Sequence, residues 1–126
     1  MRWFTIFISF LIIVSTLHGQ GRLTINDGVV SINGGAVLSV NEPSTVGITL
    51  SGTGTGYIQS ESDINRVFWR INNSTGTYVI PFGYSGTRLN FTYQITTAGS
   101  SSGGLIASTK AVASNNTPYP TVSPAV

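Results

Sequence analysis

The sequence predicts an all-β protein: a short N-terminal β-solenoid-like ladder, or a meander, followed by an antiparallel β-sandwich, partial or complete. Three observations carry that prediction. Four triplets of the form apolar–hydroxyl–apolar recur between residues 23 and 50, and residues 88–95 alternate strictly between polar and apolar. Gly, Ser, Thr and Asn make up nearly half of residues 20–126, set at short intervals among the apolar groups. A period of two is the strand period. Across the triplets a helix is implausible, because each would-be helical turn carries Gly or Asn and the apolar period is two.

The chain opens MRWFTIFISFLIIVSTLHGQG, with Arg2 ahead of an apolar run of fifteen residues from Trp3 to Leu17. A bilayer-spanning helix needs roughly 20 residues, so the run is short for an uncleaved anchor. It fits the h-region of a secretory signal peptide ending near Gly19, and residues 1–19 are assigned to that signal. The mature chain then begins at Gln20. No cysteine follows the run, which excludes a lipid-anchored lipoprotein.

Residues 20–60 form the ladder. Its triplets are Leu23-Thr24-Ile25, Val30-Ser31-Ile32, Leu38-Ser39-Val40 and Ile48-Thr49-Leu50, which start seven, eight and ten residues apart. Asn26-Asp27-Gly28, Asn33-Gly34-Gly35, Asn41 to Ser44 and Ser51 to Gly56 separate them as turns, Gly and Asn supplying positive φ and Pro fixing it. An antiparallel meander fits, with Ile25 opposite Val30 and Val30 opposite Leu38. A solenoid fits as well. The repeated corners Ile25-Asn26, Ile32-Asn33 and Val40-Asn41 favour it slightly, because stacked corners tend to repeat residue types.

Residues 61–114 carry the sandwich region. Arg66 to Asn72 alternates with bulky residues, Asn73 to Gly76 reads as a turn, and Thr77 to Phe82 reads as the next strand. Pro81 lies inside that strand. A proline donates nothing to a ladder, so the segment is expected at a sheet edge or strand end. Leu89, Phe91, Tyr93 and Ile95 share one strand face, and a last apolar run spans Leu105 to Val112. Residues 115–126, with Pro118, Pro120 and Pro124, form a proline-rich tail unfit for a central strand.

Arg66 to Trp69, the segment Gly76 to Gly83 and the later Asn116 to Pro120 together resemble a module of large secreted surface proteins of Bacteroidetes-type bacteria, substrates of type IX secretion. The resemblance implies a solenoid-like stretch passing into a sandwich, a structural or adhesive role, and a location that is secreted or on the cell surface of a Gram-negative type of bacterium. It carries no catalytic residue. The chain stops at Val126 without the sorting domain common in such proteins, and the expectation is a truncated reading frame or a fragment.

The side-chain inventory narrows the chemistry. The only histidine, His18, lies in the signal, and residues 20–126 hold no His, Cys or Met. They carry five cationic and four anionic side chains, so the basic balance reflects scarce carboxylates and nucleic acid is not an expected partner. Nucleophile–base catalysis wants an imidazole or an equivalent base, and the only lysine is Lys110. Glu61 and Asp63 stand two apart near Arg66 and Arg70 and read as solvated or ion-paired, with weak Ca²⁺ binding as their functional version. No catalytic residue, metal site or cofactor is therefore expected.

The expected role is a non-enzymatic structural or adhesive module. One alternative is a carbohydrate-binding module that stacks sugars on exposed aromatics, with Trp69, Tyr78 and Tyr84 as the candidate ligand-binding residues. A further alternative is a self-assembling fibre subunit. Expected partners are a surface polysaccharide or protein, or further copies joined at open strand edges, with no membrane insertion after signal cleavage.

Overall fold

The computed structural model describes residues 21–110. The assigned signal peptide, the proline-rich tail and the end of the last apolar run lie outside the described residues. The described residues form nine strands: β1 (Leu23–Asn26), β2 (Val29–Ser31), β3 (Val37–Val40), β4 (Ile48–Ser51), β5 (Tyr57–Gln59), β6 (Arg66–Asn72), β7 (Gly76–Tyr84), β8 (Thr87–Ile95) and β9 (Gly103–Ala107). The fold is all-β, as the sequence predicts, with several sheets of differing strand direction.

Neighbouring triplets do not pair with each other. β1, β2 and β3 lie in three different sheets, and each pairs in parallel with a strand 25 to 29 residues further on. Leu23 meets Ile48, Val29 meets Tyr57, and Val37 meets Arg66. The meander pairings of Ile25 with Val30 and of Val30 with Leu38 are therefore absent. The corner instead reaches along the stack: Asp27, with a φ of 51°, accepts the N–H groups of Thr53 and Thr55 from the turn between β4 and β5, which ties the end of β1 to that of β4.

The parallel arrangement also stacks like on like. Leu23 lies over Ile48 and Ile25 over Leu50, while Thr24 lies over Thr49 with their hydroxyls 3.1 Å apart. On the other sheets Val30 pairs with Ile58, Leu38 with Val67, and Val40 with Trp69. Ile25, Ile32 and Val40, the residues before the three repeated Asn corners, are all buried. Corners are tied one above another as well. Asn65 is buried, accepts the Gly35 N–H at 2.8 Å and donates to the Ser60 carbonyl at 2.7 Å.

The later strands turn back on this stack. β9 runs antiparallel to β6 with a bulge between Arg70 and Asn72, and β8 runs antiparallel to β7. Ser85 and Gly86 have φ of 48° and 79°, the two positive values a type I′ hairpin requires. In β6 the alternation predicted from sequence is realised, with Val67, Trp69 and Ile71 buried and Arg66, Arg70 and Asn72 exposed. One buried cluster runs from Ile25 to Phe82, so the ladder and the aromatic strands share a core.

Pro81 corrects the edge-strand expectation, because β7 lies between β5 and β8. Two features make a central proline tolerable. Bonded and non-bonded pairs alternate outward from a two-residue turn, so Pro81 opposite Asn90 falls at a non-bonded site. On its other side β7 meets β5 only at Ile58 with Phe82. Gly83 follows because a Cβ there would lie 2.5 Å from the Tyr57 ring.

Among the described residues the three sheets hold unequal numbers of strands: two in β1-β4, four in β2-β5-β7-β8 and three in β3-β6-β9. β8 is thus the fourth strand of a sheet whose neighbours stop at two and three.

Candidate functional site: an uncovered apolar strip on β8

The register of the β7–β8 hairpin places Phe82 opposite Leu89, Ile80 opposite Phe91 and Tyr78 opposite Tyr93. Directly opposed residues project from the same sheet face. Their environments nonetheless differ sharply. Tyr78, Ile80 and Phe82 are 0%, 0% and 2% exposed, whereas Leu89, Phe91 and Tyr93 are 65%, 39% and 44% exposed. One strand spacing, about 4.8 Å, separates the core from the surface. The cause is the unequal strand count, since a fourth level in one sheet has no strand facing it.

The result is a straight strip. Alternate residues of a strand stand roughly 6.5–7 Å apart, so Leu89, Phe91 and Tyr93 form a row, with Ile95 half-buried at its end. The opposite face of β8 carries Arg88, Asn90, Thr92 and Gln94, all exposed. Arg88 is drawn back onto its own chain, where its guanidinium donates to the Gly54 carbonyl. β8 is also the last strand of its sheet, so its outer backbone edge is unpaired among the described residues.

The residues predicted as a platform lie elsewhere. Trp69 and Tyr78 are brought together, but in the interior, both 0% exposed, with ring centroids 5.1 Å apart at 89°. Edge-to-face packing suits the ring quadrupoles. The Trp69 Nε1–H donates to the Glu42 carbonyl at 2.7 Å and the Tyr78 hydroxyl donates to the Pro43 carbonyl at 2.9 Å. Burial raises the Tyr78 phenol pKa above its ordinary value. Both polar tips are thus spent on the loop that joins β3 to β4. Tyr84 is exposed, at the end of β7 beside the hairpin turn. The three do not share an exposed face.

The carboxylates serve the corners. Asp27 accepts the N–H and hydroxyl of Thr53 at 2.7 and 2.9 Å, and those of Thr55 at 3.1 and 3.2 Å. These donors, led by the Thr53 and Thr55 backbone N–H groups, hold its pKa down at about 2, from an ordinary 3.8. Glu42 accepts the Ser44 N–H at 3.1 Å, and its pKa is lowered by its hydrogen bonds to Ser44. Near Glu61 and Asp63, Arg66 donates to the Asp63 backbone carbonyl at 3.0 Å and the Glu61 N–H reaches the Thr109 hydroxyl. Among the described residues no three acidic side chains converge on a metal-sized space.

At the other end of the stack, the free edges of β2 and β3 border an open hollow of about 360 Å³. Val30, Ile32 and Leu38 line it, with Ser31, Asn33, Ala36 and Val37. Among the described residues no helix is long and apolar enough to cross a membrane. No family model, curated protein or solved structure matches this chain.

Of the strip, sequence reasoning selected only the neighbouring Tyr84. It identified the row Leu89, Phe91, Tyr93 and Ile95 as one strand face without naming that face as a site. The available signal was β8 itself, since two adjacent aromatic strands in one sheet need two layers of cover and the chain supplies few further bulky residues.

Proposed function

We propose that this chain is an exported, non-enzymatic β module of the cell surface or extracellular matrix, structural or adhesive in role. The pairing of β1 with β4, β2 with β5 and β3 with β6 is the observation that carries it. In this reading the six strands are two windings of a short β-solenoid, β7 adds a parallel strand beside β5, and β8 and β9 fold back antiparallel on β7 and β6. Such a stack is held by backbone hydrogen bonds and repeated side-chain contacts between neighbours, which gives rigidity with very few charges. The apolar run at Trp3–Leu17 supports export.

The uncovered strip is the contact surface of this module. Its chemistry is apolar, with one phenol at Tyr93 and a second at Tyr84 nearby. Expression of the full chain in a Gram-negative host, followed by fractionation and mass spectrometry of the N-terminus, tests the localisation. A processed chain outside the inner membrane is expected. Retention of intact Met1 in the cytoplasm would overturn it.

A carbohydrate-binding role is the second reading, and the exposure of Tyr84, Phe91 and Tyr93 favours it. It rests on different residues from those expected, since Trp69 and Tyr78 are interior. Affinity electrophoresis through a panel of polysaccharides, with Tyr93→Ala and Phe91→Ala as controls, tests it. Retardation abolished by both substitutions is the expected outcome. No retardation on any gel removes the reading.

A further inference from the structure

We propose that β8 pairs with β8 of a second copy of this chain, antiparallel, about a two-fold axis at Phe91. The proposal deepens the structural reading by naming the partner of the strip. It depends on that reading only in taking the strip as a contact surface, and not on export.

The first ground is the edge. β8 presents nine residues, Thr87–Ile95, with no proline and no bulge in its pairing with β7. Native sheets blunt such edges with charge, proline, bulges or short length. Here the single charge, Arg88, is engaged with Gly54 of its own chain. The other outermost strands are shorter, at three to five residues, and β9 begins with Gly103 and Gly104.

The second ground is register. Counting outward from the Ser85-Gly86 turn, residues 87, 89, 91, 93 and 95 exchange hydrogen bonds with β7. The free N–H and C=O groups of β8 therefore belong to Arg88, Asn90, Thr92 and Gln94. An antiparallel pair of β8 strands must join these residues to one another, and one such register uses the whole strand. It sets Asn90 against Thr92 and Arg88 against Gln94 of the second copy, as bonded pairs. No like charges are opposed. Phe91 then faces Phe91, and Leu89 faces Tyr93, at non-bonded positions, where side chains approach most closely, with Cα atoms about 4.5 Å apart. The two-fold runs normal to the sheet, so both strips stay on one face and merge. The same patch meets itself, as a two-fold interface requires.

The chain has no cysteine, so single cysteines report the register directly. Full-length protein, purified, is examined by sedimentation and by disulfide crosslinking. Phe91→Cys is expected to crosslink to a covalent dimer, its Cα spacing lying in the range a disulfide bridges. Leu89→Cys alone and Tyr93→Cys alone are expected to remain uncrosslinked, while a mixture of the two crosslinks. Phe91→Lys opposes two cations at the axis and is expected to weaken the dimer at least about tenfold. Asn90→Pro removes an outward donor at a site not bonded to β7 and is expected to do the same. A folded monomer by sedimentation at 100 μM total protein (about) overturns the proposal, all the more if hydrogen exchange shows Asn90 and Thr92 protected, which would assign the edge to the chain's own residues 111–126. Equal crosslinking at residues 89, 91 and 93 overturns it too, as does an open series of higher oligomers. Association by the N-terminal apolar run would survive Phe91→Lys and is thereby separated from pairing at β8.

Discussion

Replacing Trp69 by Phe tests the interior assigned to the aromatic pair. The substitution keeps a ring in the core but deletes the donor that reaches the Glu42 carbonyl at 2.7 Å. That carbonyl stays buried, and an unsatisfied buried acceptor costs about 1–3 kcal/mol. The smaller ring also leaves a void and loosens the edge-to-face contact with Tyr78, a contact of about 0.5–1.5 kcal/mol. The expected loss is about 2–4 kcal/mol. For a domain of this size each kcal/mol lowers Tm by about 4–8 °C, so the fall exceeds about 8 °C. Circular dichroism is the required probe, because Trp69 is the only tryptophan after the signal segment. Tyr78→Phe, which frees only the Pro43 carbonyl, is expected to cost less, and the double variant less than the sum. A loss below about 0.5 kcal/mol, the scale of an inert surface substitution, would refute the buried pairing and return Trp69 to the surface.

Other outcomes follow from the same geometry. Gly47→Ala attacks the same hydrogen bond from below, since a Cβ there would sit 2.7 Å from the Trp69 Nε1 and 2.8 Å from the Glu42 carbonyl; overpacking of this kind costs about 1–3 kcal/mol, read by urea unfolding. Phe82→Ala is expected to cost about 3–5 kcal/mol, while Leu89→Ala, its opposed neighbour at 65% exposure, stays under about 1 kcal/mol; equal losses would contradict the uncovered strip. Asp27 has its pKa depressed on folding, so its stabilising contribution is full above the ordinary 3.8 and is lost as pH falls through about 2. The Tm of the natural chain is therefore expected to drop more steeply over that interval than that of Asp27→Asn, and parallel curves would dismiss the Thr53–Thr55 clasp.

Much of the local structure was legible in the sequence. The alternation of Arg66 to Asn72 reports which side chains face inward, and the burial of Val67, Trp69 and Ile71 follows it. The triplets likewise mark β1 to β4. Pairing was not legible, because the triplets are short and nearly interchangeable. Leu23-Thr24-Ile25 offers the same faces to Val30-Ser31-Ile32 as to Ile48-Thr49-Leu50, and the tie of Asp27 to Thr53 and Thr55 that accompanies the second pairing is long-range and outside both triplets.

The site was misplaced for a related reason. Period two says that Tyr78 and Tyr93 each belong to an apolar face, but whether a face is covered depends on how many strands the neighbouring sheets possess. That number is a property of the topology, two, four and three strands, and no window of sequence contains it. Pro81 misled in the same way. Its missing donor matters only where a partner expects one, and β7 meets β5 at a single bridge.

The long separations between parallel partners also set an order of assembly. Closing a loop costs entropy that grows with its logarithm, so pairs 25 to 29 residues apart begin about 2 kcal/mol behind the two-residue hairpin of β7 and β8. Local contacts form early and distant ones late. The hairpin near the C-terminus is therefore the natural nucleus, and β1, β2 and β3 acquire their partners only after β4, β5 and β6 exist. A chain that emerges N-terminus first thus emerges in the reverse of the order in which it folds.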